Sequence, residues 1–197
     1  MKTLLTGILF FSLTVASASV NPIDLLVQTD PTSHTLTLRT TLAVELATKV
    51  QLRDANGLVL HTAKLSPGDF LNTRFKLDAL PGGTYSVTVT DVQGQTVQPF
   101  TVDTYGITSD PALATRTFYP RVELSDKLLT INYLNTSGNS TRIRLSDAQG
   151  QAVITDRLPG SATVQRAYSL ENLPAGDYYV TVSTADTPSH TTNLRLD

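Results

Sequence analysis

The sequence predicts an all-β protein made of two tandem immunoglobulin-like antiparallel β-sandwiches. Three observations support this prediction: an internal repeat, apolar residues that alternate with polar ones, and turn residues at short intervals. Alternation with a period of two is typical of strands that bury one face. Closely spaced turns favour antiparallel hairpins over the crossover helices of parallel sheets. Helical periodicity is weak, and only the stretch 106–117 is compatible with a helical turn.

An internal repeat with a spacing of 93 residues divides the chain into two similar copies. The stretch LPGGTYSVTV (80–89) returns as LPAGDYYVTV (173–182), and VQLRDANGLVL (50–60) aligns with IRLSDAQGQAV (143–153). Without a gap, 15 of the 42 positions in 48–89 are identical in the second copy. A duplication on this scale predicts two domains of similar fold.

Each copy is expected to contain about seven strands, the number found in an immunoglobulin-like sandwich. Within a strand such as 47–53, Val50 and Leu52 are expected to face the core and Gln51 to face solvent. The strands of the first copy are predicted near residues 22–29, 34–41, 47–53, 58–64, 70–78, 84–90 and 95–102, and those of the second copy 93 positions later.

The third predicted strand of each copy ends in a turn with aspartate first and glycine last. These turns read Asp54-Ala-Asn-Gly57 and Asp147-Ala-Gln-Gly150. An aspartate side chain accepts hydrogen bonds from the backbone of such a turn, and glycine adopts positive φ without steric cost. We therefore assign structural roles to these four residues.

The repeated stretch before the sixth strand predicts a tyrosine corner in each copy. In sandwich folds, a tyrosine near the start of this strand donates its hydroxyl to upstream backbone. Proline fixes φ on entry to the corner, and glycine permits a sharp bend. The residues assigned to the two corners are Pro81, Gly83, Tyr85, Pro174, Gly176 and Tyr178.

The first 18 residues have the organisation of a secretory signal peptide. Lys2 precedes an apolar stretch at 4–15, and Ala16-Ser17-Ala18 supplies small residues for cleavage. Neither this stretch nor any later one approaches the roughly 20 residues of a membrane-spanning helix. We therefore expect export to the periplasm, the cell surface or the extracellular space. The predicted division of the chain is a signal peptide at 1–18, a first sandwich at 19–104, a linker at 105–117 and a second sandwich at 118–197.

Both copies share one ordered pattern of apolar, turn and corner residues: apolar-x-apolar-x-Asp-x-x-Gly, then Leu-x-x-Leu-Pro-x-Gly-x-Tyr. The pattern comprises Val50, Leu52, Asp54, Gly57, Leu77, Leu80, Pro81, Gly83 and Tyr85, and then Ile143, Leu145, Asp147, Gly150, Leu170, Leu173, Pro174, Gly176 and Tyr178. It resembles the C-terminal sorting domain of the Bacteroidota type IX (Por) secretion system. The resemblance implies an immunoglobulin-like sandwich that directs cargo across the outer membrane.

Composition and motifs argue against catalysis. Cysteine is absent, which removes thiol catalysis, cysteine zinc sites and iron–sulfur clusters. His34, His61 and His190 lie outside known nucleophile motifs, so we expect them to be solvated strand residues. No metal-binding motif or phosphate loop is present. We therefore expect no enzymatic activity, no cofactor, no metal site and no catalytic residue.

Two chemical alternatives stay open at this point. Asp30, Asp103 and Asp110 would form a loose calcium site if the fold brought them together near the junction of the copies. A hydrolase would require a close Ser-His-Asp arrangement, or a pair of carboxylates among residues such as Glu123 and Asp147. The junction at 104–117 is the preferred place for a composite site, because clefts often form between domains.

The expected partner is another protein of the envelope, recruited through exposed strand edges or loops. The formal charge is −2 and no basic run occurs, so nucleic acid is not expected as a partner. The alternatives are a secretion sorting module and a carbohydrate-binding module. For the latter, Tyr179 is the candidate ligand contact, since alternation turns it outward beside Tyr178. Other candidate exposed rings are Tyr105, Tyr119 and Tyr133.

Overall fold

The structure is a computed structural model that describes residues 25–30, 34–185, 187 and 189–197. The predicted signal peptide at 1–18 lies outside these residues. The first copy comprises β1 (Leu25–Asp30), β2 (Thr35–Thr40), β3 (Thr48–Asp54), β4 (Val59–Leu65), β5 (Asn72–Lys76), β6 (Gly83–Thr90) and β7 (Gly94–Asp103). It is followed by β8 (Gly106–Thr108), a 3-10 turn (Pro111–Leu113) and β9 (Thr115–Phe118). The second copy comprises β10 (Arg121–Ser125), β11 (Leu128–Leu134), β12 (Thr141–Asp147), β13 (Ala152–Leu158), β14 (Thr163–Ser169), β15 (Gly176–Ser183) and β16 (His190–Leu196).

The strands of each copy form two antiparallel sheets. In the first copy the sheets have the orders β1-β2-β5 and β4-β3-β6-β7-β8, and in the second copy β10-β11-β14 and β13-β12-β15-β16. The seven equivalent strands therefore pair in the same order in both copies. This two-layer antiparallel arrangement is an immunoglobulin-like sandwich, so the predicted fold class is confirmed.

The buried apolar side chains form two separate clusters, one in each copy. Each cluster combines residues from both sheets of its copy, as a sandwich core requires. Val87 and Val180 are equivalent in the repeat, and both are 0% exposed. Duplicated alternation thus produces two hydrophobic cores rather than one continuous interior.

Residues 105–117, which the sequence assigns to a linker, form secondary structure of their own. β8 pairs with β7 and buries Ile107 in the first core, where it is 1% exposed. β9 also pairs with β7, with Gly94 opposite Phe118. A Cβ atom at Gly94 would clash with the carbonyl oxygen of Thr117, so this close approach requires glycine.

No helix within the described residues is long and apolar enough to cross a membrane.

Candidate functional site

The two predicted corner tyrosines each donate a hydrogen bond to upstream backbone. The Tyr85 hydroxyl lies 2.7 Å from the Pro81 carbonyl oxygen, and the Tyr178 hydroxyl lies 2.8 Å from that of Pro174. Both rings are buried, with exposures of 7% and 4%. Gly83 and Gly176 begin β6 and β15. At Gly83, however, φ is not positive and a Cβ would meet open space, so the bend does not require glycine there.

The two aspartate turns have the same hydrogen-bond pattern. The Asp54 carboxylate accepts the backbone N–H groups of Asn56 and Leu58 at 2.9 and 2.8 Å. The Asp147 carboxylate accepts those of Gln149 and Gln151 at 3.0 and 2.8 Å. The last residues of the turns, Gly57 and Gly150, have φ values of 83° and 79°, in the region that favours glycine.

An arginine supports each of these turns from a different sequence position. Arg53 donates to the Gly57 carbonyl at 3.3 Å, and Arg144 donates to the Gly150 carbonyl at 2.8 Å. The two arginines are not equivalent in the repeat, so a comparison of the copies alone does not find this contact. In both turns a single carboxylate oxygen, Oδ1, accepts both backbone N–H groups.

The candidate aromatic contacts differ in exposure. Tyr179 is 37% exposed on the outer face of β15, between Ser146 of β12 and Asn193 of β16. Tyr105 is 87% exposed. The expectation of an exposed ring at Tyr133 is wrong: this residue is 6% exposed, because it has the same inward parity on β11 as the buried Leu129 and Ile131.

The histidines and acidic residues have separate structural partners. His34 Nε2 lies 2.7 Å from the Asp103 carbonyl oxygen, and the His61 ring packs edge-on against Phe75 at 4.9 Å. The carboxylates of Asp103 and Asp110 each accept backbone N–H groups of their own turns. Over the described ranges, no group of three or more His, Cys, Asp or Glu residues is placed to hold a metal ion.

A pocket of about 160 Å³ lies where the two copies meet. Residues 117–120 line it together with side chains of β7, β11, β15 and β16, so it begins where the predicted linker ends. The rings of Tyr119 and His190 stack there at 4.9 Å. Burial lowers the pKa of His190 below its ordinary value of 6.5. Burial, and then the negative charge of Asp91, raises the pKa of Tyr119 above 10.0.

An ion pair beside this pocket ties β9 to the first copy. Arg116 lies 3.8 Å from Asp91, whose side chain is only 5% exposed. The Arg116 guanidinium also lies over the Phe118 ring, 5.1 Å from its centroid. From the second copy, the Thr136 hydroxyl donates to the Arg116 carbonyl at 3.4 Å. The sequence gives no local signal for these contacts, since they join residues far apart along the chain.

The two copies differ in how their last strand is covered. In the first copy β8 and β9 pair with β7. In the second copy the equivalent strand, β16, forms an edge of its four-stranded sheet, and β13 forms the other edge. Edge strands present unpaired backbone N–H and C=O groups that another chain is able to pair with.

Residues 125–194 match the family described as the secretion system C-terminal sorting domain. The match runs from the end of β10 into β16 and covers about a third of the chain. The resemblance predicted from the turn and corner residues is therefore confirmed for this stretch of the second copy. No curated protein matches the chain significantly.

Several solved structures are similar to the chain at low identity. A DUF3244 family protein from Bacteroides vulgatus with an immunoglobulin-like β-sandwich fold is 22% identical, covers 40% of this chain and 83% of its own, and has a TM-score of 0.36. The BSP domain of a biofilm associated protein is 14% identical over 86% of this chain and 29% of its own, with a TM-score of 0.29. The FN1-FN3 domains of chicken CNTN1 are 13% identical over 83% of this chain and 60% of their own, with a TM-score of 0.30.

Proposed function

We propose that the protein is an exported, non-catalytic β-sandwich protein of the cell envelope whose second copy serves as a type IX sorting module. The observation that carries the proposal is the match of residues 125–194 to the secretion system C-terminal sorting domain. Tyr179 has no second aromatic ring directly opposite it on β12 or β16, so the structure gives no comparable support for carbohydrate binding.

The proposed mechanism of sorting is recognition of the folded second sandwich by a protein of the secretion machinery. β16 supports this mechanism, because its edge position leaves backbone groups that a strand of the partner would pair with. Its outward side chains are mainly polar, including Thr191, Asn193 and Arg195. Polar outward residues keep an edge soluble until a specific partner binds. The first copy has no equivalent edge at β7, since β8 and β9 pair there.

A reporter export experiment tests the proposal. A reporter protein with a secretory leader is fused to residues 117–197 and produced in a bacterium that has a type IX system. The same fusion is produced in an isogenic strain that lacks the outer-membrane component of that system. We expect the reporter at the cell surface or in the medium of the first strain, and in the periplasm of the second.

The first copy supplies the matched control, because it has the same fold and lies outside the family match. The same reporter fused to residues 25–118, which keep the whole of β9, is expected to stay in the periplasm of both strains. Periplasmic retention of a folded 117–197 fusion in the type IX strain would contradict the sorting role. Equal export of both fusions would contradict the assignment of that role to the second copy.

A further inference from the structure

Each copy places two basic residues directly opposite each other on neighbouring strands. Lys49 of β3 is paired with Lys64 of β4, and Arg142 of β12 is paired with Arg157 of β13. These are equivalent positions in the repeat. Directly opposed side chains of an antiparallel pair have Cβ atoms only about 5 Å apart, so like charges there destabilise the sheet. In the strand registers of the described residues, no other directly opposed pair carries like charges.

A hydroxyl side chain extends this row on the next strand. Thr90 of β6 lies opposite Lys49, and Ser183 of β15 lies opposite Arg142. Both copies therefore present the order basic, basic, hydroxyl across three neighbouring strands. All three residues differ in identity between the copies, yet each keeps its chemical type. We call this set the basic row.

Among the described residues, the four basic side chains have none of the carboxylate partners that usually neutralise such positions. On the same sheet of the second copy, Asp177 lies opposite Arg195 and forms an ion pair at 3.5 Å. Within the described part of the chain, no ion pair involves any of the four basic side chains of the basic row. The whole chain carries a net charge of −2, so the basic row is a local feature and not part of a generally basic surface.

A concave region lies at the basic row in both copies. In the second copy it has a volume of about 220 Å³ and is lined by Arg142, Arg157, Ser183, Thr184, Ser140 and Ala185. In the first copy the corresponding region has a volume of about 410 Å³ and includes Lys49, Lys64 and Thr90 in its lining. The positive charges thus border a space that is open to a small ligand.

We propose that the basic row of the second copy binds a phosphate group. The guanidinium groups of Arg142 and Arg157 supply paired donors that match the geometry of phosphate oxygens. The hydroxyl of Ser183 supplies a further donor at the rim, whereas the Thr184 hydroxyl already accepts the backbone N–H of Thr187. A bound dianion replaces the repulsion between the two arginines with attraction to a shared partner. This site is separate from the edge of β16, and its function does not depend on the sorting role.

The first copy is expected to bind the same group more weakly. Its two lysines act as point charges and lack the planar fork of arginine. In addition, the carboxylate-bearing Asp91 contributes to the lining of the first region, whereas its equivalent in the lining of the second region is the uncharged Thr184. The second copy is therefore the main site.

Thermal unfolding of the chain from residue 19 to 197 tests the proposal, with sodium phosphate as the probe and sodium chloride at matched ionic strength as the reference. We expect phosphate to raise the unfolding midpoint of the second copy above its value in chloride. The double substitution Arg142→Gln and Arg157→Gln is expected to remove this rise and to weaken phosphate binding at least about tenfold, since charge-assisted hydrogen bonds are lost. Without phosphate this variant is expected to be at least as stable as the original chain, because the like-charge repulsion is gone.

Arg195→Gln is the matched control, since it removes an arginine of the same sheet that already has a carboxylate partner. It is expected to leave the phosphate-dependent rise unchanged. An equal rise in chloride, or an undiminished rise in the double variant, would overturn the proposal. Sedimentation with vesicles of phosphatidylcholine, with and without phosphatidic acid, then distinguishes the sources of the group. Arginine-dependent binding to the anionic vesicles supports a lipid headgroup, and a phosphate effect without vesicle binding supports a free phosphate.

Discussion

Replacing Tyr178 with phenylalanine removes one buried hydrogen bond from the second sandwich and leaves the packing of the ring in place. The bond that is lost joins the hydroxyl to the Pro174 carbonyl oxygen at 2.8 Å, beneath a ring that is 4% exposed. Pro174 itself is exposed, so water is able to reach the carbonyl that loses its partner. We therefore expect the net value of a hydrogen bond, about 1 kcal/mol, rather than the full cost of an unsatisfied buried group.

Urea denaturation followed by NMR signals of each copy measures this effect separately in the two sandwiches. Tyr178→Phe is expected to lower the stability of the second copy, and Tyr85→Phe that of the first copy by a similar amount. For a domain of this size the loss corresponds to roughly 4–8 °C in Tm. Tyr105→Phe is the control, since that ring is 87% exposed and no change is expected. Unchanged midpoints in both corner variants would refute the stabilising role of the corners.

Three further perturbations have defined outcomes. Gly94→Ala is expected to destabilise the first copy by about 1–3 kcal/mol in denaturant titrations, because the new Cβ clashes with a carbonyl of β9. Gly83→Ala is the control: its Cβ meets open space, so stability is expected to change by less than about 0.5 kcal/mol. Burial, followed by the hydrogen bond to Asp156, raises the pKa of Tyr168 to about 12. The stability that the protonated Tyr168 hydroxyl contributes is therefore complete below pH 10.0 and is lost as the pH rises toward 12. Asp156→Asn is expected to lower this pKa, which an absorbance titration measures. Burial lowers the pKa of His190 below 6.5. The stability that the neutral His190 ring contributes is therefore present above pH 6.5 and is lost on acidification. An NMR titration of the ring is expected to show a midpoint below 6.5.

The strands were predictable because the same alternation of apolar and polar residues occurs in both copies of the repeat. The third strand, predicted at 47–53, is β3 at Thr48–Asp54, and its counterpart is β12 at Thr141–Asp147. Periodicity also gave the inward positions Val50 and Leu52, which are 3% and 4% exposed. The expectation that Gln51 faces solvent is wrong: it is 9% exposed, and its side-chain oxygen accepts a hydrogen bond from Arg53. Such regularity follows from the physical demand that each sheet bury one face.

The strands β8 and β9 were not predictable in this way. They lie in residues 105–117, which have no counterpart in the repeat, and they are too short for alternation to be decisive. Ile107 enters the first core only because β8 pairs with β7, which is a tertiary event. Gly94 carried the local signal, since a strand glycine often marks a close approach of another backbone.

The sites were less predictable than the fold. The aspartate turns and tyrosine corners depend on neighbours within four residues, so their hydrogen bonds follow from local sequence. The stacking of Tyr119 on His190 depends on how the two copies meet, which periodicity does not encode. The basic row required the strand register, because only pairing shows that Arg142 and Arg157 lie opposite each other.

Hydrogen–deuterium exchange on the chain with Val180→Asp tests most directly whether each copy closes its own core and folds independently of the other. Val180 is 0% exposed in the second cluster, and a buried aspartate there is expected to abolish packing in that copy. The account predicts that amides of β11, β12 and β15 lose protection while those of β2, β3 and β6 keep it, with the reverse result for Val87→Asp. Loss of protection throughout the chain in either variant would contradict it.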